Sequence, residues 1–114
     1  MVQMTLQVPE ELAKRIQPIQ VWLPAILELS LVGCKTLATA AATEVIQFLS
    51  TNPTPEQVLG YHASERAQRR SRRLLALNTA GVLGKAGQDE LDELERIEHR
   101  IIMLKAELAK QLYG

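Results

Sequence analysis

Five arginines fall within eight residues, Arg66, Arg69, Arg70, Arg72 and Arg73. Guanidinium groups at that density can grip phosphate through paired N–H donors, as on a helix that contacts nucleic acid. The chain offers them a second use. Asp89, Glu90, Asp92, Glu93 and Glu95 follow after a glycine-containing stretch, where the two sets would face each other across an antiparallel helical hairpin. Ion pairs between the helices and along each of them would then largely neutralise both, and this is the reading the sequence favours. Exposed pairs of this kind add only ~0–1 kcal/mol each, so their service is to fix the hairpin's register or to meet a charged partner. Arg69 and Arg73 are the candidates for partner contact.

The other reactive side chains lack companions. His62 and His99 are the only histidines, and neither has a second ligand at metal-binding spacing. Cys34 is the only cysteine, which excludes an intrachain disulfide and a thiolate zinc cluster. A small buried thiol is the expected role. Ser64 and Ser71 have no His–Asp arrangement, and Gly81, Gly84 and Gly87 join two helices rather than a strand and a helix. No metal, no cofactor and no enzymatic activity are expected.

These residues belong to a chain of 114 with 46% hydrophobic residues, enough for one packed core. Thirteen basic and thirteen acidic side chains balance, which disfavours a polyanion-binding surface over the whole molecule. With only Trp22, Phe48, Tyr61 and Tyr113 aromatic, base-stacking platforms are not expected either. The start carries no basic residue, and Pro18, Pro24, Glu28, Lys35 and Glu44 break up the apolar region, so neither a signal peptide nor a membrane span is expected. Together with the lone cysteine, this points to the cytoplasm.

The elements that must position these groups are mainly helical. Residues 2–8 are the exception: Val2, Met4, Leu6 and Val8 alternate with Gln3, Thr5 and Gln7, the period of a half-buried strand. A lone strand leaves its backbone groups unpaired, so the same strand of a second copy is its natural mate, and a homodimer follows. Pro9 ends the strand. A short helix from Glu10 with Leu12, Ile16 and Ile19 inward is closed or kinked by Pro18. A second runs from Pro24 to Val32, with Gly33 as terminator, and a third from Thr36 to Leu49.

Ser50–Pro55 is the clearest break, and it divides a unit of residues 1–50 from one of 51–114. Thr54, Pro55 and Gln57 form a capping box for a turn of helix ending at Gly60. Ser64 caps a helix to Leu77, a loop spans Asn78 to Gly87, and an amphipathic helix runs from Gln88 to Leu112. That last helix outruns its hairpin partner. Its apolar end, Leu104, Leu108, Leu112 and Tyr113, must be covered by the 36–49 helix, a second protomer or a different protein.

Thr5-Leu6-Gln7-Val8-Pro9-Glu10-Glu11-Leu12 with Ile16, followed by Pro24 to Leu31, resembles the ribbon-helix-helix proteins. The resemblance implies that two strands pair across a dimer and enter the major groove, with Gln3, Thr5 and Gln7 reading base edges. It also implies a phosphate held by backbone amides near Leu23–Ala25. In the second half, Thr54-Pro55-Glu56, Leu74-Leu75, Asn78, Gly81, Glu90-Leu91-Asp92 and Leu104-Lys105-Ala106 are similar to a pattern in small bacterial proteins, many of which look like antitoxins. The combined expectation is an antitoxin-like regulator. Its ribbon binds operator DNA, and its hairpin, through Arg69, Arg73, Leu104, Leu108 and Leu112, blocks a toxin such as a nuclease. The alternative is a helical adaptor that binds only proteins.

Overall fold

The computed structural model describes residues 2–114. Helix α1 (Glu10–Ile16) passes through a 3-10 segment, Gln17–Trp22, into α2 (Leu23–Ser30). Helices α3 (Thr39–Leu49), α4 (Pro55–Leu59), α5 (Glu65–Thr79) and α6 (Lys85–Tyr113) follow. Among the described residues there is no β-strand.

The strand expected over residues 2–8 is thus corrected: the segment is an arm without regular structure. No backbone hydrogen bond joins it to the other described residues. The reason is the lack of a mate, because a strand is held by a neighbour and the rest of this chain uses its backbone groups in helices and turns. The alternation survives uncovered, with Val2, Met4 and Leu6 exposed at 89%, 82% and 66%. Helix α1 buries no residue either. The radius of gyration is 16.1 Å, against about 13 Å for a compact domain of this size.

The entry to α2 differs from the ribbon-helix-helix expectation. No extended turn separates the two helices, and within the 3-10 segment only Ile19 leaves helical angles (φ −110°, ψ 15°). The Leu23 amide donates to the Gln20 carbonyl, and Pro24 has no N–H. Two of the three backbone groups expected to hold a phosphate are therefore unavailable, Leu23 because its amide is already bonded and Pro24 because it has no donor.

The core explains this continuity. Trp22 ends the 3-10 segment buried in the core, and its Nε1 donates to the Pro53 carbonyl at 2.9 Å. Around it lie Ile26 and Leu29 of α2, Ala42, Val45 and Leu49 of α3, Val58 of α4, and Ile97 and Leu108 of α6. Residues from both sides of Ser50–Pro55 contribute to this core. The capping box forms as the sequence predicts. Gln57 N donates to Thr54 Oγ1 at 3.2 Å, and Thr54 N donates to Gln57 Oε1 at 2.8 Å, with Pro55 in the first helical turn.

Helices α5 and α6 make the expected hairpin, with a tighter loop. Gly81 takes a positive φ of 75° in the turn, and α6 begins at Lys85, so Gly87 lies inside the helix. The Leu83 side chain occupies the place a Cβ at Gly87 would take, and Leu74 Cδ2 lies 3.7 Å from that place. Close packing, rather than a chain break, accounts for this glycine. Beyond the hairpin, α6 packs against α2, α3 and α4 of its own chain, but its last turn stays uncovered. Leu108 is buried and Leu104 packs against the same core, while Leu112 and Tyr113 are exposed.

Candidate functional site

Helix α5 is polar nearly all round, and Leu74 is its only buried residue. Fixed points along its length hold it to the body. At its start, Ser64 Oγ accepts from Ala67 N at 3.1 Å, capping the helix. The same hydroxyl and the Ser64 amide donate to the Glu44 carboxylate of α3 at 3.0 and 3.2 Å. Midway, Arg70 Nε and Nη2 donate to Glu90 Oε2 and Oε1 at 2.7 and 2.8 Å. This bidentate pair links a half-exposed guanidinium to a carboxylate whose side chain is only 5% exposed. Near the end, Leu74 packs beside Gly87.

Between these points α5 stands off from the body and leaves a groove on each flank. Toward α3, a groove of about 430 Å³ has Leu37, Ala40, Ala41 and Leu94 as its apolar floor. Arg66, Arg69, Arg70 and Arg73 form one rim, and Glu44 and Glu90 also line it. On the other flank a groove of about 430 Å³ is lined by Tyr61, His62, Ser71, Arg72, Ile97, Ile101 and Lys105, among others. There Lys105 Nζ is already used, donating to the Tyr61 carbonyl at 2.7 Å, and the Tyr61 ring packs on Phe48 with centroids 4.8 Å apart.

The expected neutralisation of the arginines is only partial. Arg70 pairs with Glu90 across the hairpin, and Arg69 reaches Glu65 at 3.3 Å along its own exposed helix. Among the described residues, Arg66, Arg72 and Arg73 have no ion pair. Three of the other acidic side chains are engaged elsewhere. Asp89 pairs with Lys85 at 3.5 Å, Asp92 accepts from Gln88 at 2.9 Å, and Glu93 turns toward the start of α3.

Glu93 is the residue whose role the sequence did not suggest. Its buried carboxylate accepts from Lys35 N (3.0 and 3.1 Å), Thr36 N (3.2 Å) and Thr36 Oγ1 (2.9 Å), clasping the loop before α3 to α6. Burial pushes its carboxyl up, but the Lys35 and Thr36 donors, with the Cys34 thiol, outweigh this and hold it below the usual carboxylate range. Cys34 responds in the opposite direction: burial first, then the Glu93 charge, raises its thiol.

Gln3, Thr5 and Gln7 are all exposed on the arm, far along the sequence from the arginine rim, and nothing in the single chain draws them together. Arg69 and Arg73 share the α3–α5 groove. Leu108 is committed to the internal core and Leu104 partly so, which leaves Leu112 the most accessible of the three leucines. Among the described residues, no three His, Cys, Asp or Glu side chains gather as a metal ligand set, and no helix is long and apolar enough to cross a membrane. No family model, curated protein or solved structure significantly matches the chain.

Proposed function

We propose that the protein is an antitoxin-like transcriptional regulator. Two copies pair their N-terminal arms into an antiparallel ribbon that contacts operator DNA through Gln3, Thr5 and Gln7, and the helical body binds and blocks a toxin protein. The observation that carries this reading is the arm: alternating, apolar on one side, exposed, and without a backbone partner among the described residues. Ordering such a segment costs about 1–2 kcal/mol per residue, which backbone pairing alone does not offset. Apolar cover is required, and Leu12 of α1, Val21 of the 3-10 segment, Leu27 of α2 and Leu31 just after it are exposed side chains able to provide it in a dimer. Each large side chain buried there contributes roughly 1.5–3 kcal/mol.

The test is binding of the full chain to DNA from upstream of its own gene, compared with the triple variant Gln3→Ala, Thr5→Ala, Gln7→Ala. A regulator loses operator affinity while remaining dimeric, and the parent's affinity falls steeply with salt as phosphate contacts release counterions. A flat salt slope, or equal affinity in the variant, refutes the reading. A second reading, a helical adaptor that binds only proteins, is favoured by charge. Residues 1–59 hold Lys14, Arg15 and Lys35 against Glu10, Glu11, Glu28, Glu44 and Glu56, an unhelpful field beside DNA. An adaptor has no DNA binding to lose.

A further inference from the structure

We propose that the groove between α3 and α5 receives one amphipathic helix of a partner protein, apolar on its seated side and flanked by carboxylates in step with Arg66, Arg69 and Arg73. This rests on reading the helical body as the protein-binding part of the molecule, and adds the chemistry of what it grips.

Charge complementarity comes first. Arg66, Arg69 and Arg73 follow one another at three and four residues, so they share one face of α5, with rises of about 4.5 and 6 Å between them. Carboxylates three and four residues apart on a second helix have the same spacing. Arg66 and Arg73 have no ion pair among the described residues, and Arg69 has only its exposed contact with Glu65. An exposed pair of that kind is cheaply exchanged for a better one.

The floor decides between a peptide and a nucleic acid. Leu37 is exposed, and with Ala40, Ala41 and Leu94 it presents apolar surface that a phosphate backbone cannot use. Glu44 and Glu90, which line the same groove, are already engaged by Ser64 and Arg70, so the arginines left for a ligand are Arg66, Arg69 and Arg73. A peptide helix can bury apolar side chains on this floor while its acidic flank meets the arginines, and the small side chains at 40 and 41 let its backbone come close. The rim is also prepared in advance. The Ser64–Glu44 hydrogen bonds, the Arg70–Glu90 pair and Leu74 hold α5 at separate points, so binding need not order it.

The probe is a stapled, fluorescein-labelled helix of about four turns, with leucines on one face and glutamates at i, i+3 and i+7 beside it. Its binding to the full chain is followed by anisotropy, and located by amide shifts in labelled protein. The expected result is saturable binding with shifts at Leu37, Ala40, Ala41 and Leu94. Charge reversal by Arg66→Glu with Arg73→Glu weakens it by about tenfold or more, as loss of interfacial charge pairs does. Both residues are exposed and unpaired, so the fold is unaffected. Ala40→Trp, which fills the groove from an exposed position, also abolishes binding and serves as an independent variant.

The proposal is overturned if the peptide does not bind, if a scrambled peptide of equal composition binds as well, or if the shifts lie elsewhere. It is equally overturned if a DNA duplex competes for the same arginines. Operator binding through Gln3, Thr5 and Gln7 is measured on the same samples. Loss of groove binding with operator binding intact removes only this proposal; groove binding without operator binding removes only the DNA-reading function.

Discussion

Replacing Arg70 by Met isolates the link that holds the arginine rim in place. The substitution keeps much of the aliphatic stem but leaves the Glu90 carboxylate, 5% exposed, without a hydrogen-bond partner among the described residues. Removing one member of a deeply buried pair costs about 3–5 kcal/mol. Arg70 is 43% exposed, so solvent already screens the pair and the expected cost is nearer ~2 kcal/mol. For 114 residues the unfolding entropy is about 0.24 kcal/mol/K, so Tm falls by ~8 °C. Glu90→Gln should be milder, ~1 kcal/mol or ~4 °C, because the exposed guanidinium can turn to water and the amide keeps one acceptor. The double variant Arg70→Met with Glu90→Leu should recover stability relative to Arg70→Met alone, and the cycle closed with the single variant Glu90→Leu should give a coupling energy of ~1–2 kcal/mol. The assay is urea and thermal unfolding read by fluorescence of Trp22, the only tryptophan, which is buried in the core. A coupling energy near zero, or a Glu90 variant that costs more than the Arg70 variant, refutes the account of how α5 is anchored.

Other expectations follow from the same geometry. Glu93 is depressed in the fold, so its contribution to stability is complete above the unfolded carboxylate pKa and is lost as pH falls through the lower folded value. The stability gap between the parent and Glu93→Gln, from urea titrations at several pH values, should be widest near neutrality and close in acid. Cys34, raised by burial and by Glu93, should react slowly with an aromatic disulfide reagent at neutral pH and faster in Glu93→Gln; equal rates contradict the assignment. Gly33 has φ +69°, so Gly33→Ala should cost about 1–2 kcal/mol in a melt followed by circular dichroism. Gly60→Ala, with an ordinary φ and only van der Waals neighbours, should stay near neutral. Leu49→Ala removes a side chain with no exposed surface and should cost about 2–5 kcal/mol.

The helix boundaries that were legible in the sequence are those fixed by local chemistry. Thr54 with Gln57, and Ser64 before α5, cap helices because their side-chain oxygens reach the third amide onward, a relation within four residues. The apolar spacing from Leu91 to Leu108 likewise gave α6 and its inward face. Gly87 misled because the conformational cost of a glycine is local, whereas its reason for being in α6 is Leu83.

Glu93 was hidden for a related reason. Its partners, Lys35 and Thr36, lie more than fifty residues away, and it looked like one of a charged run. One signal was present: Glu90, Glu93 and Ile97 recur at three and four residues, so both acids fall on the buried stripe, where a carboxylate must find donors. In residues 2–8 the alternation was readable, but a strand is a property of a pair, and a single chain of helices cannot supply the second member.

Sedimentation equilibrium of the full chain beside a Met4→Asp, Leu6→Asp variant tests pairing of the arms most directly. Both side chains are exposed in the single chain, so the substitutions leave the helical body intact. The parent is expected to be a dimer and the variant a folded monomer. A parent that stays monomeric, or a variant that dimerises as tightly as the parent, contradicts pairing through the arms.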